Sequence, residues 1–338
     1  MPKDNENIHF LGPVEPSESQ RFSAEQMIRC EECLRANPPT RVTCMYCVAP
    51  LPLTEDAARL RKPVLQPPEK HQLGYNTILL PKNEAVSSEV VIQAASLLKL
   101  EPENLEEILL QGKPLPIART ASRNEAELVF ERLRDLDLHC LTLSDDDLGL
   151  SNPVKRVRSM SFADQALIIH QTGEETVVPW TDIELVLRGW LFETRLEFKE
   201  RKTRESENEL LETSEFSSDE LAIDFYTAGH PFTWRIKTSG FDFSCLENEK
   251  TLIANENIGT LQRLLTTKAV NAKTDDSYRR LRRLLEPVWS TQTETQSSGW
   301  RRERPGKLSV GMATIKSNET QFTLYSRLRH YFSLEFKL

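Results

Sequence analysis

The chain has 338 residues, 38% of them apolar and 28% charged, with a formal net charge of −8 at pH 7. That length admits two or three domains. No apolar run approaches the ~20 residues a membrane span needs, and the opening MPKDNENIHFLGPVEPSESQ lacks the basic-then-apolar order of a secretory signal.

Residues 1–28 are polar, proline-bearing and without period, which predicts a disordered tail. Between Cys30 and Cys47 stand two CxxC pairs, Cys30/Cys33 and Cys44/Cys47, ten residues apart. A CxxC turn offers two thiolates on one tight loop, and two such turns complete a tetrahedral shell. Four cysteines leave no position for water, so the expected ion is one structural zinc; a rubredoxin-like iron site shares the ligand set. The predicted zinc ribbon spans 29–53. Pro63, Pro67 and Pro68 mark 54–72 as a linker. The other two cysteines, Cys140 and Cys245, lie in apolar contexts and read as buried thiols. This usage fits a reducing cytoplasm.

From residue 73 the text becomes regular. NTILLP (76–81) predicts a strand. SSEVVIQAASLLKL (87–100) has a helical apolar period, with Ser87 or Ser88 as N-cap. EPENLEEILLQGK places Pro102 in a first helical turn and Gly112 at a stop. LPIART (115–120) predicts a strand. SRNEAELVFERLRDLDL predicts a helix opened by a capping box of Ser122 and Glu125. HCLTL (139–143) predicts a closing strand, and DDDLGL a solvated exit. The predicted order over 73–146 is β-α-α-β-α-β. Residues 68–150 carry 8 basic and 15 acidic side chains, a poor surface for a phosphate backbone.

A third domain is predicted over 151–290. ALIIHQ and TVVPW flank a turn at Thr172-Gly173-Glu174, DIELVLRGWLFETRLEFKER continues as strand, and LAIDFYTAGHPFTWRIKT forms a hairpin turning at Gly229. Residues 205–220 hold seven acids and no base, which predicts a flexible acidic insertion over 204–220. NIGTLQRLLTTKAV reads as a helix capped by Asn257. DDSYRRLRRLLEPVW reads as another, with Arg279, Arg280, Arg282 and Arg283 as a basic face opposite Leu281 and Leu284, a candidate partner-binding surface. Residues 291–338 are expected to hold a polar linker and an amphipathic helix starting at Asn318. The fold class is therefore α+β and multidomain.

Three stretches resemble known families. The spacing C-x2-C-x3-N-x6-C-x2-C, with Asn37 in the middle, resembles the nuclear-pore (Ran-binding-protein) type of zinc finger, a ubiquitin- or single-stranded-RNA-binding module. Met27 and Ile28 stand near the place of that family's tryptophan, and Leu34-Arg35 replaces its Thr-Phe pair. CMYCVAPLP resembles equally the bacterial short zinc ribbon. The β-α-α-β-α-β order resembles the C-terminal domain of the bacterial ribosomal stalk protein and the Clp protease adaptor, which implies a docking role and carries over no functional residue. TVVPWTDIELVLRG, through Trp180, Asp182 and Ile183, resembles bacterial pleckstrin-homology-like domains. Lys155, Arg156 and Arg158 stand at the entrance of that region and read as solvated strand ends.

No nucleophile or phosphate-binding motif is present, and none of the six histidines pairs with a carboxylate in a recognisable spacing. Asp242 and Asp275-Asp276 read as turn and cap residues. The expectation is a non-enzymatic, cytoplasmic, zinc-binding adaptor with an unidentified protein partner. The alternatives are an RNA-binding or ribosome-associated protein using the zinc module, with Arg35 and Arg41, together with the arginine helix, and an enzyme of unrecognised class.

Overall fold

The computed structural model divides into two units, Met1–Lys62 and Pro63–Leu338. It describes residues 22–23, 26–52, 54, 65–68, 72–82, 85–171, 173–203, 206–304 and 307–335. The expected tail and linker fall mostly outside these. Strands and helices are both present, as the α+β reading required.

In the first unit β1 (Ile28–Arg29) and β2 (Ala36–Asn37) pair antiparallel. Its core is Ile28, Cys30, Cys44 and Leu51. Two of those four are cysteines, so apolar burial alone is small.

The second unit opens with β3 (Tyr75–Leu79), α1 (Ser88–Leu98), α2 (Pro102–Leu110), β4 (Leu115–Thr120), α3 (Arg123–Asp135) and β5 (Cys140–Ser144). β3 lies between β4 and β5, antiparallel to both. Ser87 caps α1 by accepting from Val90 N. Ser122 caps α3 by accepting from Glu125 N. The predicted capping box is only half formed: the Glu125 carboxylate accepts instead from the backbone N–H groups of Leu65 and Gln66. The solvated exit is also corrected. Asp145 is buried, accepting from Gly74 N (2.7 Å), Asn76 Nδ2 (2.9 Å) and Arg119 (2.5 Å). Cys140 is half-buried rather than buried, and burial pushes its thiol up to about 12.

The chain continues through β6 (Val154–Val157), β7 (Ser159–Phe162), β8 (Ala166–Gln171), β9 (Glu174–Pro179), β10 (Ile183–Thr203), β11 (Ser206–Thr227) and β12 (Thr233–Lys237). Then come α4 (Ala254–Lys268), β13 (Lys273–Asp275), α5 (Tyr278–Leu285), β14 (Gln292–Arg304), β15 (Lys307–Ser317) and α6 (Glu319–Glu335). β7, β8 and β9 form one sheet; the other runs β14-β15-β10-β11-β12-β6, with β13 on β10.

Two expected irregular segments are strands. From Ser206 on, the acidic run belongs to β11, paired antiparallel with β10. A strand held by backbone pairing needs no neutral sequence, and counting acids along one strand overlooks its backbone partners. The polar spacer after residue 291 is β14, paired with β15. Asn257 lies inside α4, which starts at Ala254; its side chain reaches back to Thr251 N and O.

β10 separates two cores. Leu185, Leu187 and Leu191 join Ile78, Leu105, Val129, Tyr278, Leu285, Phe322 and Leu328. Ile183 and Val186 join Leu167, Ile169, Phe225, Trp234, Ile258 and Leu261. The 73–146 segment therefore shares one core with α5 and α6, and Asn76 Oδ1 accepts from Trp289 Nε1 at 2.8 Å. A Cβ on Gly189 would lie 2.5–2.8 Å from the buried Phe322 ring. Gly189→Ala is thus expected to destabilise the protein by about 1–3 kcal/mol, measurable as a lower urea midpoint with unchanged slope.

Asp275 ties three elements together. Its carboxylate accepts from Ser277 N (2.7 Å) and the Tyr325 hydroxyl (3.1 Å) and pairs with Arg329 (3.0 Å) and Lys113 (3.3 Å). Burial raises its pKa, but the Ser277 N–H and the two cations outweigh burial and hold it below the ordinary value. The stability it contributes is full above the unfolded carboxyl value of about 3.9 and is lost as pH falls through the lower folded value. Asp275→Asn is expected to flatten the acid limb: the stability difference from wild type, read from urea midpoints, should be large at neutral pH and shrink below about pH 4.

Candidate metal centre

Each CxxC pair sits in the same backbone turn. The N–H groups of Leu34 and Val48 donate to Cys30 O (2.9 Å) and Cys44 O (3.1 Å). The N–H groups of Cys30 and Cys44 donate to Arg35 O (3.0 Å) and Ala49 O (2.8 Å). Leu34 and Val48 close the turns in the left-handed region, with φ of 59° and 62°. Neither is the glycine or asparagine that tolerates it most cheaply.

The turns face each other so that all four Sγ atoms lie within 4.8 Å, with Cys30–Cys47 at 3.6 Å and Cys33–Cys44 at 3.5 Å. A tetrahedron with metal–sulfur bonds of ~2.3 Å has edges of about 3.8 Å, so the set could hold one metal ion. Among the described residues no other group of three or more His, Cys, Asp or Glu side chains converges this way.

Asn37, noted in the sequence only for its position, is fully buried. Its amide donates to Arg35 O (2.9 Å) and Cys44 Sγ (3.5 Å), and its Oδ1 accepts from Met45 N (2.8 Å). It bridges the two turns and supports a sulfur ligand from behind, as outer partners of metal ligands do. Ile28 fills the small core beside the cysteines.

The thiols do not titrate alike. Burial raises Cys44, but the N–H groups of Cys47 and Tyr46, with Cys33 and Asn37, outweigh it and bring the thiol down to about 6. The Ala49 N–H lowers Cys47, yet burial and the three neighbouring sulfurs push it up to about 12. The Arg35 N–H lowers Cys33, and burial with Cys44 reverses this, leaving it raised. Four sulfurs this close cannot all ionise without a cation among them.

Beside the exposed Glu31, Glu32 and Arg35, large apolar side chains also stand outward on these turns. Leu34 and Val48 are 67% and 72% exposed, and Met45 and Tyr46 are each 55% exposed. The Arg35 guanidinium lies 4.7 Å from the centre of the Tyr46 ring. Spacing alone does not reveal that these side chains stand outward, because in so short a turn apolar identity does not report burial.

The arginine helix is α5. Tyr278, Leu281, Leu284 and Leu285 are buried at the predicted spacing. Arg279, Arg280 and Arg283 are exposed and Arg282 is half-buried. Arg279 lies 4.5 Å over Trp190 and Arg282 5.9 Å over Phe192, both on β10. Lys155, at the expected basic entrance, lies 3.7 Å over the Phe232 ring. Asp242 is a turn residue as expected, accepting from Ser244 N and Oγ.

The structure also joins residues that spacing did not. His170 Nε2 is 3.0 Å from Ser161 Oγ, and its Nδ1 is 3.1 Å from Glu175 Oε1. The order resembles a nucleophile–base–acid chain. It runs across neighbouring strands of one sheet, with Glu175 exposed and His170 half-exposed, and there it cross-links strands. No helix of the described residues is long and apolar enough to cross a membrane. No protein-family model, no curated protein and no solved structure matches this chain.

Proposed function

We propose that this chain is a zinc-binding interaction protein of the cytoplasm, in which the cysteine unit is a metal-ordered docking knob for a protein partner. One observation carries the reading: Leu34, Met45, Tyr46 and Val48 stand exposed on the turns that carry the ligands. Large apolar side chains displayed on a unit with so small a core are more useful to a partner than to the unit itself. Cys30, Cys33, Cys44 and Cys47 would hold one zinc in a closed, structural shell; iron fits the same sulfurs, and metal analysis of the purified protein separates the two. The stalk-like and pleckstrin-homology-like readings of 73–146 and 151–290 belong to the same proposal, as further docking surfaces.

Capture from the source cell's lysate tests the knob. Leu34→Ser/Tyr46→Ser should keep about one zinc per chain and lose the specific protein that wild type retains, and Cys44→Ser/Cys47→Ser should lose both. Retention of every partner by the Leu34/Tyr46 variant sinks the knob. A second reading is favoured by the Arg35–Tyr46 stack, since an exposed ring beside Arg35 and Arg41 suits single-stranded RNA. It requires a salt-dependent RNA shift that Arg35→Ala or Arg41→Ala removes.

A further inference from the structure

We propose that the hollow between β10, β11 and the start of α5 binds a small organic anion. Its acidic group would lie between Arg188 and Arg279, and its apolar body against Trp190 and Leu221. The hollow has a volume of about 150 Å³ and is lined by Arg188, Gly189, Trp190, Leu221, Asp276 and Arg279. A cavity of that volume holds a single benzene ring.

The fold explains why these groups meet there. On β10 one face runs through Val186, Arg188 and Trp190, and Val186 is buried in the second core while Arg188 and Trp190 are half-buried. Leu221 pairs with Trp190 in the ladder and lies on the same face. Leu221 packs at the edge of the second core, and the half-buried indole beside it extends that apolar floor into the hollow. The backbone at Arg279 is fixed, because its neighbours Tyr278 and Leu281 are buried in the first core. The guanidinium is thereby held 4.5 Å from the Trp190 ring centre.

Charge sets the class of ligand. Two guanidiniums face one carboxylate. That carboxylate, Asp276, is exposed and meets Arg188 only at 3.5 Å, the kind of pair that contributes little in water. Among the described residues no carboxylate lies within ion-pair distance of Arg279. A planar guanidinium fork matches a carboxylate or phosphate through two parallel hydrogen bonds, and an indole beside it selects an acid borne on a flat or apolar group.

The test uses the full chain with benzoate, phenyl phosphate and uncharged benzamide, read by tryptophan fluorescence and by thermal shift. Benzoate or phenyl phosphate should bind with a Kd on the order of 1 mM, and benzamide should not saturate. Whichever acid binds tighter identifies the anionic group. Arg279→Gln, at an exposed position, should weaken binding at least about tenfold. Trp190→Phe should remove the fluorescence change and keep the thermal shift. Equal binding of benzamide, an unchanged Kd in Arg279→Gln, or no saturation by either acid at about 10 mM overturns the proposal.

Discussion

Asp224→Ala is expected to cost about 3–5 kcal/mol of stability, the largest loss for any single substitution outside the cysteine unit. Asp224 is 0% and Arg235 2% exposed. They sit opposite each other on β11 and β12, joined by two hydrogen bonds of 2.7 Å, Nε to Oδ1 and Nη2 to Oδ2. The guanidinium also donates to Glu319 (3.1 Å) and Thr323 (3.1 Å) on α6 and lies 4.9 Å from the Phe322 ring centre. Burial disfavours its charge, but Asp224 and Glu319 more than offset this and raise its pKa further. Truncating Asp224 leaves a buried cation with one partly exposed carboxylate, and that uncompensated charge is the source of the loss. Asp224→Leu/Arg235→Met removes both charges and should recover most of it. Urea unfolding of the three proteins decides: a cost below about 1 kcal/mol for Asp224→Ala would mean that water reaches the pair and that it behaves as a surface bridge.

Removing the proposed metal ion should have the second large effect, confined to the first unit. In small zinc-held modules metal binding contributes about 10–16 kcal/mol at neutral pH, and the core of Ile28, Cys30, Cys44 and Leu51 cannot replace it. A strong chelator, or Cys44→Ser, is expected to unfold residues 28–51 and leave the melting of residues 63–338 unchanged. Amide exchange followed residue by residue reads the two units separately. Protection of Cys30 and Cys44 amides that survives chelation would show that the turns hold without metal.

Much of the helical layout could be read from the sequence, because helix ends and faces depend on near neighbours. Ser87, Ser122 and the Leu281/Leu284/Leu285 stripe all stand where spacing put them. What escaped was any feature set by distant partners. Glu125 has capping-box spacing, but its carboxylate finds the chain some sixty positions upstream. Asn318 has the position of a cap, yet its side chain seals β10, accepting from Phe192 N and donating to Trp190 O. In LAIDFYT the polar Asp224 suggests an outward side, whereas residues 222–227 are all buried because both faces of β11 are covered. The four ligands were legible because their spacing is itself the chemistry. The apolar surface around them was not, since exposure is a property of what fails to pack nearby.

That β10 serves as a party wall has a consequence for synthesis. The segment carrying β3 to β5 is made well before Trp289, Phe322, Tyr325 and Leu328, the residues that complete its core. Until those residues emerge, Ile78, Val129 and Leu133 have a half-built enclosure and present oily surface to the cell. Loop closure over such spans slows folding, and exposed apolar surface invites aggregation in the interval. A chain stopped after residue 317, lacking Asn318 and α6, should therefore associate with chaperones and precipitate, rather than form a smaller version of the same protein.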